Sequence, residues 1–461
     1  MPQEKCCNTW HVIFITIAAA IGGFLFGFDS SVINGANAAL KIHFSATDFE
    51  LAWAVSLTLI GAAAGAFFAG RIADRFGRTS CMFAAAILFI ASAVGSGIPF
   101  CIYDFILWRL VGGIAMGIAS IIAPIYIAET APAHLRGRLG SMQQLAIVIG
   151  IFAALFSNYI LVKMAGSATN LLIDNYKAWQ VMFWVELIPA SLYAIASLAL
   201  PESPRYLIQK GRIADAKKVL EKIAPQNIEQ EVKSIADSFH NSHRSRFSDL
   251  FEYTFESKRL LPIVSAGLGL AILQQFVGIN VIFYYGTMLW QSVGFSESNS
   301  FFFSLFSSAI NLVMTIVAIM LIDKVGRKPL LLTGSIGMSI TLIVLGICFF
   351  IGLNACSFCG PIALIAANLY VAFFAATWGP VMWVMLGEMF NNRIRAIAIS
   401  VCGLVQWLAN FIVTWSFPIL SGNHGIGIGA TYLIYAIFAI FSFFFVLIFI
   451  EETKGKKLED M

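Results

Sequence analysis

A helix that crosses a bilayer needs about 20 consecutive, mostly apolar residues. Twelve such runs fill this chain of 461 residues, near 12–34, 50–72, 80–99, 104–128, 139–161, 179–199, 260–285, 299–322, 329–351, 361–389, 396–418 and 429–450. Lipid gives the backbone no hydrogen-bond partner, so runs like these must span as helices. The composition agrees. Only 12% of residues are charged, against about 25% in an ordinary soluble domain, and the mean hydropathy is +0.83. The first run is too long and too glycine-rich for a cleaved signal, and it holds Asp29. It is read as a membrane helix.

Charge sets the expected orientation. Arg71, Arg75, Arg78, Arg136, Arg138, Lys324, Arg327, Lys328, Arg393 and Arg395 fall in one set of short loops. The opposite set carries only Lys41, Lys163 and Lys177. The first set is expected to be cytoplasmic, with both termini. The net charge of +4 is small and gives no basic patch for nucleic acid. Between the two groups of six runs, 204–258 is expected on the cytoplasmic side. Its stretch Arg212 to Ile223 spaces Ile213, Ala216, Val219, Leu220 and Ile223 as an amphipathic surface helix.

The eight cysteines are scattered. Cys81, Cys348 and Cys402 act as small hydrophobes in or beside spans. Cys356 and Cys359 form a C-x-x-C without the further ligands that a metal site needs. Cys6 and Cys7 are only a weak lipidation signal. No phosphate-cradling loop is present, so no cofactor, nucleotide-driven pumping or covalent chemistry is expected.

The two halves repeat. Asp74-Arg75-Phe76-Gly77-Arg78 returns as Asp323-Lys324-Val325-Gly326-Arg327, and Glu202 of PESPR returns as Glu452 of EETKG. Glu129 precedes Arg136 by the same interval as Glu388 precedes Arg395. The expected fold is all-α: two pseudo-symmetric bundles of six helices, with a small cytoplasmic helical insert. The expected divisions are 1–200, a linker 201–258, 259–450 and a tail 451–461.

These motifs carry a resemblance. GRIADRFGR (70–78) and DKVGRKPL (323–330) match the loop signature of the major facilitator superfamily. PESPRYL (201–207), QQFVGIN (274–280) with Tyr284-Tyr285, GPVMW (379–383) and EETKG (451–455) are more discriminating. Together the chain resembles the sugar porter family, which holds facilitated glucose carriers and bacterial proton–sugar symporters. EETKG departs from the family in lacking a leading proline.

The same residues have a physical reading. Gln144, Gln274, Gln275, Asn280, Asn311, Gln406 and Asn410 are amides inside apolar spans. Such groups line a cavity or bond a neighbouring helix. An amide donates and accepts, as a sugar hydroxyl does, and Trp383 and Trp407 could stack on a sugar ring. The resemblance implies that Gln144, Gln274, Gln275, Asn280, Asn311, Trp383, Gln406 and Trp407 line a monosaccharide site, with Tyr284 beside them. Phe26 either closes that site or simply packs. Ala375 stands where mammalian-type glucose carriers have a glutamate, so their sugar preference does not transfer.

Asp29, Arg109 and Glu186 are ionisable residues inside spans. Counted at 1.5 Å per residue, Asp29 and Arg109 lie about 8 Å, and Glu186 about 10 Å, from the outer boundary. Equal depth allows contact. A carboxylate that holds its cation in one conformation and loses it in another binds a proton in only one of them. The resemblance adds that proton-coupled members have an aspartate at the position of Asp29, so proton symport is expected. A static ion pair, and with it a uniporter, is the alternative. A second set, Arg78, Glu129, Arg136 and Glu202 mirrored by Arg327, Glu388 and Arg395, is expected to latch the cytoplasmic side and favour the outward-open state. Ordinary topology-fixing charge is the alternative.

The rivals are a transporter-like sugar receptor, for which the tail is short, and an antiporter of drugs or anions, which gives no reason for QQFVGIN. Short outer loops point to a bacterial inner membrane rather than a eukaryotic plasma membrane. The particular sugar and the oligomeric state are left open.

Overall fold

The computed structural model describes residues 9–130, 136–223, 228–241, 247–253, 258–292, 294–352, 358–391, 394–422 and 425–454. Among them are twelve helices long and apolar enough to cross a membrane. In order these membrane helices are 1 (Ile15–Phe44), 2 (Asp48–Phe76), 3 (Arg78–Gly97), 4 (Ile102–Thr130), 5 (Met142–Ala165), 6 (Ala178–Ala199), 7 (Pro262–Ser292), 8 (Glu297–Val325), 9 (Arg327–Ile351), 10 (Cys359–Met389), 11 (Ile397–Ser421) and 12 (Ile428–Phe449). They form two six-helix bundles, joined by short helices Pro204–Gln209, Ile213–Ile223 and Ile228–Asn241. Two small hairpins, Leu171–Ile173 with Tyr176–Lys177 and Phe251–Tyr253 with Lys258–Leu260, lie in loops. In the linker helix Ala216 and Leu220 are buried, but Ile213 is exposed, so its apolar face starts one turn later than the spacing implies.

Lipid supplies little hydrophobic drive between helices, so close packing of small residues holds the bundles. Helices 2 and 4 show this. A Cβ on Gly61 would strike the carbonyl oxygen of Leu110, one on Gly65 that of Ile114, one on Gly113 that of Thr58, and one on Gly117 that of Ala62. The backbones touch, and only glycine fits. Helices 1 and 5 repeat the device through Gly27 and Gly150, which face Ile147 and Phe24 backbone.

Three spans are interrupted, and two interruptions have a proline cause. Proline clashes with the carbonyl four residues before it. Pro189 breaks helix 6 between Val185 and Leu187, leaving Glu186 at the joint, and Pro380 breaks helix 10 at Ala376–Trp378. Helix 7 breaks after Phe276, where Gly278 takes φ +84 and the ring of Tyr435 lies against it.

Helix 1 corrects the depth estimate. It runs to Phe44, well beyond the expected end near residue 34. The fall in hydropathy after Asp29 comes from Ser30, Ser31, Asn34 and Asn37, all buried in protein rather than in water. Equal counting from the outer boundary therefore does not explain why Asp29 and Arg109 meet.

Gly113→Val is expected to cost about 1–3 kcal/mol by overpacking, read as a lower unfolding temperature in detergent. Gly70→Val is the comparison, since a Cβ there meets nothing within 4 Å. Equal losses for both would contradict the packing account.

Candidate functional site

The amides on helices 7 and 11 form a connected chain. Asn280 Nδ2 donates to Gln275 Oε1 at 2.7 Å, and Gln275 Nε2 donates to Gln274 Oε1 at 3.1 Å. Gln406 Nε2 donates to the same Gln274 oxygen at 2.8 Å. Gln274 Nε2 in turn donates to the carbonyls of Trp378 and Gly379, both at 3.2 Å, in the first turn after the break in helix 10. The matching break in helix 7 is capped by Tyr370, whose hydroxyl donates to Val277 O at 2.6 Å. The Trp378 and Gly379 carbonyls hold Gln274, and Gln274 aligns its neighbours.

The other expected site residues divide. Phe26 and Trp407 meet across the two bundles with ring centroids 5.5 Å apart. Tyr284 and Asn311 are buried, whereas Trp383 is 39% exposed. Tyr284 lies beside Asn410, and Asn410 accepts from Thr414. Gln144 is half-buried, and its neighbour Gln143 packs against Gly23 of helix 1. Neither polar atom of Gln143 has a partner among the described residues. Cys356, Cys6, Cys7 and Arg393 lie outside the described residues, as does the side chain of Arg136.

Asp29, Arg109 and Glu186 come together. Arg109 Nη1 contacts Asp29 Oδ1 at 2.5 Å, and Nη2 donates to the Asp29 carbonyl at 2.9 Å. The Glu186 carboxylate, at the joint of helix 6, sits against that of Asp29. All three are essentially sealed from solvent. Asp29 Oδ2, both Glu186 oxygens and Arg109 Nε have no hydrogen-bond partner among the described residues. Two carboxylates side by side, with one guanidinium, need a proton between them to reach neutrality.

The bundles touch at one end. Asn34 Nδ2 donates to Phe283 O at 2.9 Å and Asn34 Oδ1 accepts from the Thr287 N–H at 2.9 Å. The Thr287 hydroxyl donates to Asn34 O, and Asn37 Nδ2 donates to Tyr284 O at 2.6 Å. Trp53 of helix 2 packs on Phe411 and Trp415 of helix 11, and Glu297 accepts from the Ala168 N–H at 2.9 Å. This clasp of helix 1 on helix 7 was missed in the sequence. Its signal was the stripe Ser30, Asn34, Asn37 and Lys41 at intervals of three and four.

At the opposite end Arg78 and Arg327 each pair within their own bundle. Arg78 is bidentate on Glu129, at 3.0 Å for both Nε and Nη2, and Glu202 accepts the Arg78 N–H at 3.0 Å. Arg327 repeats this on Glu388, at 3.0 and 2.8 Å, and Glu452 accepts the Arg327 N–H at 3.0 Å. Each glutamate thus caps a helix start, where the dipole favours an anion. Burial would raise the carboxyl of Glu452, but N–H groups of Arg327, Lys454, Lys328 and Thr453 outweigh it and hold it below its ordinary range. Gly77 and Gly326 take φ +100 and +106, and a Cβ on either would crowd the capping carboxylate. Arg395 donates to Phe390 O within its own bundle, at 3.0 Å from Nη2. Among the described residues no ion pair joins the bundles at this end.

A twelve-helix membrane protein with pseudo-symmetric halves, closed at one end over a central row of amides, is a transporter of the major facilitator type. The family model described as sugar (and other) transporter matches residues 15–461, and the chain belongs to that family. A glucose transport protein of Synechocystis is 52% identical over 470 residues, covering 100% of this chain and 99% of that one. A D-xylose–proton symporter of Escherichia coli is 36% identical, over 98% of this chain and 96% of that one. The inward open conformation of the xylose transporter XylE from E. coli superposes with a TM-score of 0.83 at 35% identity, covering 97% and 98% of the two chains.

Arg109→Leu leaves two buried carboxylates uncompensated, an expected cost of about 3–5 kcal/mol, read in thermal unfolding. Adding Asp29→Asn and Glu186→Gln should recover most of it. A triple variant no more stable than Arg109→Leu would refute the charge account.

Proposed function

We propose that the protein carries a monosaccharide and a proton together across the membrane by alternating access. One arrangement supports this most. Asp29 and the clasp on helix 7 share helix 1, and helix 7 bears Gln274, Gln275, Asn280 and Tyr284. Proton and sugar sites therefore lie on elements fastened to one another. In this scheme the Arg109–Asp29 contact marks the carrier that has released its proton. When the arginine lets go, a carboxylate stripped of its cation in low dielectric takes a proton rather than stay charged. Asp29 is the proton carrier in this scheme, Arg109 its modulating partner, and Glu186 assists.

Gln144, Gln274, Gln275, Asn280, Asn311 and Gln406 serve the sugar hydroxyls, Trp383, Trp407 and Phe26 its ring, and Tyr284 the side toward Asp29. The relatives named for glucose and for xylose support a monosaccharide substrate. Loop charge supports a cytoplasmic arginine end, with both termini there, in a bacterial inner membrane. In that orientation the clasped end faces outward and the cavity opens to the cytoplasm. Residues 1–200 and 259–450 move as the two bodies, with 201–258 between them and 451–461 as a tail.

The latch follows from the same scheme. Arg78, Glu129, Arg136 and Glu202 oppose Arg327, Glu388 and Arg395 across the open side. When that side shuts, the two clusters exchange partners and favour the outward-open state. Glu129→Gln or Arg395→Ala is expected to raise the inward-open population, read by spectroscopic distances across the cytoplasmic ends. Unchanged distances would remove the latch.

Reconstituted protein is expected to accumulate glucose or xylose above equilibrium under an inward proton gradient. Asp29→Asn should abolish accumulation and retain sugar exchange. Equilibration alone in the wild type would make the protein a uniporter, and accumulation by Asp29→Asn would displace Asp29 as the proton carrier. Gln274→Ala unpairs Gln275 and Gln406 and should weaken sugar binding about tenfold.

A further inference from the structure

Tyr193 is a buried phenol that the scheme above does not use. It lies in membrane helix 6, seven residues beyond Glu186, so two turns separate them on one face. The residue is 0% exposed, and its hydroxyl has no hydrogen-bond partner among the described residues. A buried tyrosine hydroxyl ordinarily finds one. The hydroxyl rests on helix 1 at Gly22, where a Cβ would lie 2.8 Å from its oxygen, with Ala119 of helix 4 beside it. Gly22 precedes Asp29 by seven residues, the interval that separates Glu186 from Tyr193. Helices 1 and 6 run antiparallel. The equal intervals set the hydroxyl on the cytoplasmic side of the carboxylate pair, on the order of 10 Å away. The charged groups above it are Asp29, Glu186 and Arg109. Below it Cys81, in the first turn of helix 3, is the titratable neighbour.

We propose that the Tyr193 hydroxyl relays the symported proton from the Asp29–Glu186 pair to the cytoplasm. A hydroxyl accepts and donates at once. The carboxyl proton passes along a chain of about three intervening waters, spaced at about 2.8 Å, to a lone pair of the phenol oxygen. The phenol's own proton leaves toward water on the cytoplasmic side. Tyrosine ends neutral, as it began, and the carboxylate is left ionised for Arg109. No redox partner is needed. Phenylalanine fills the same space and carries no proton, and glycine at 22 is what lets the hydroxyl reach helix 1.

The relay rests on the symport reading, so the experiment separates the two. Wild type, Tyr193→Phe and Gly22→Ala are reconstituted, and glucose is followed in two modes: uptake driven by a proton gradient, and exchange at equal pH. Exchange returns the loaded carrier without releasing its proton, so only driven uptake uses the relay. The ratio of driven uptake to exchange is expected to fall about tenfold in Tyr193→Phe, a modest share of what a positioned proton-transfer group contributes, and to fall also in Gly22→Ala. Wild-type driven uptake should slow in heavy water more than exchange does. An unchanged ratio in Tyr193→Phe, with the wild type still accumulating sugar, overturns the relay and leaves symport standing. A wild type that never accumulates sugar overturns both. Should Tyr193→Phe fail to fold, the Gly22→Ala ratio and the wild-type isotope effect decide in the same sense.

Discussion

The contact between Arg109 and Asp29 governs the rest of the structure. Both groups are cut off from water, and neither could be kept there charged without the other. Glu186 makes the balance uneven. It adds a second carboxylate at a joint where Pro189 has already interrupted the helix, so the centre holds one more negative site than positive. A fully matched pair would stabilise one conformation, whereas the extra carboxylate is what the proposed proton carrier requires.

The two ends of the molecule behave differently for an electrostatic reason. At the clasped end most bonds between bundles are neutral (amide to carbonyl, hydroxyl to carbonyl, ring to ring), and the Glu297 carboxylate on the Ala168 N–H is the exception. At the arginine end the groups are ionic and satisfied within each bundle. Neutral contacts form and part without leaving a bare charge. Ionic clusters open to water and are screened when apart, then strengthen when water is excluded. The repeat from Asp74–Arg78 to Asp323–Arg327 is thus more than a record of duplication. Each copy places a bidentate arginine and a helix-capping glutamate at the start of a helix, so that the two halves present equivalent rims.

Much of this was legible in the sequence, and the exceptions have a common cause. Apolar length alone marked twelve spans, because lipid leaves the backbone no alternative. The motifs marked the amides on helices 7 and 11, and Asp29, Arg109 and Glu186 stood out as charges in apolar runs. What hydropathy hid was polarity buried in protein. Asn34 and Asn37 read as the end of helix 1 because a scale of transfer from water does not know that helix 7 offers them carbonyls. Axial depth failed for the same reason. Gln143 was hidden differently: Gln144 beside it matched the family pattern, and adjacent helical residues point about 100° apart, so the contact with Gly23 fell to the neighbour.

Helix 1 connects these observations. Within a few turns it carries Gly22 under the Tyr193 hydroxyl, Phe26 against Trp407, Asp29 on Arg109, and Asn34 and Asn37 on the broken part of helix 7. One helix thus touches the buried charge centre, the Trp407 ring of the far bundle and the closed end. Any change in the charge on Asp29 that tilts or turns this helix acts on all three at once. Coupling then needs no long pathway through the bundles. In the proposed scheme it needs only that helices 1 and 5, packed backbone to backbone at Gly27 and Gly150, move together.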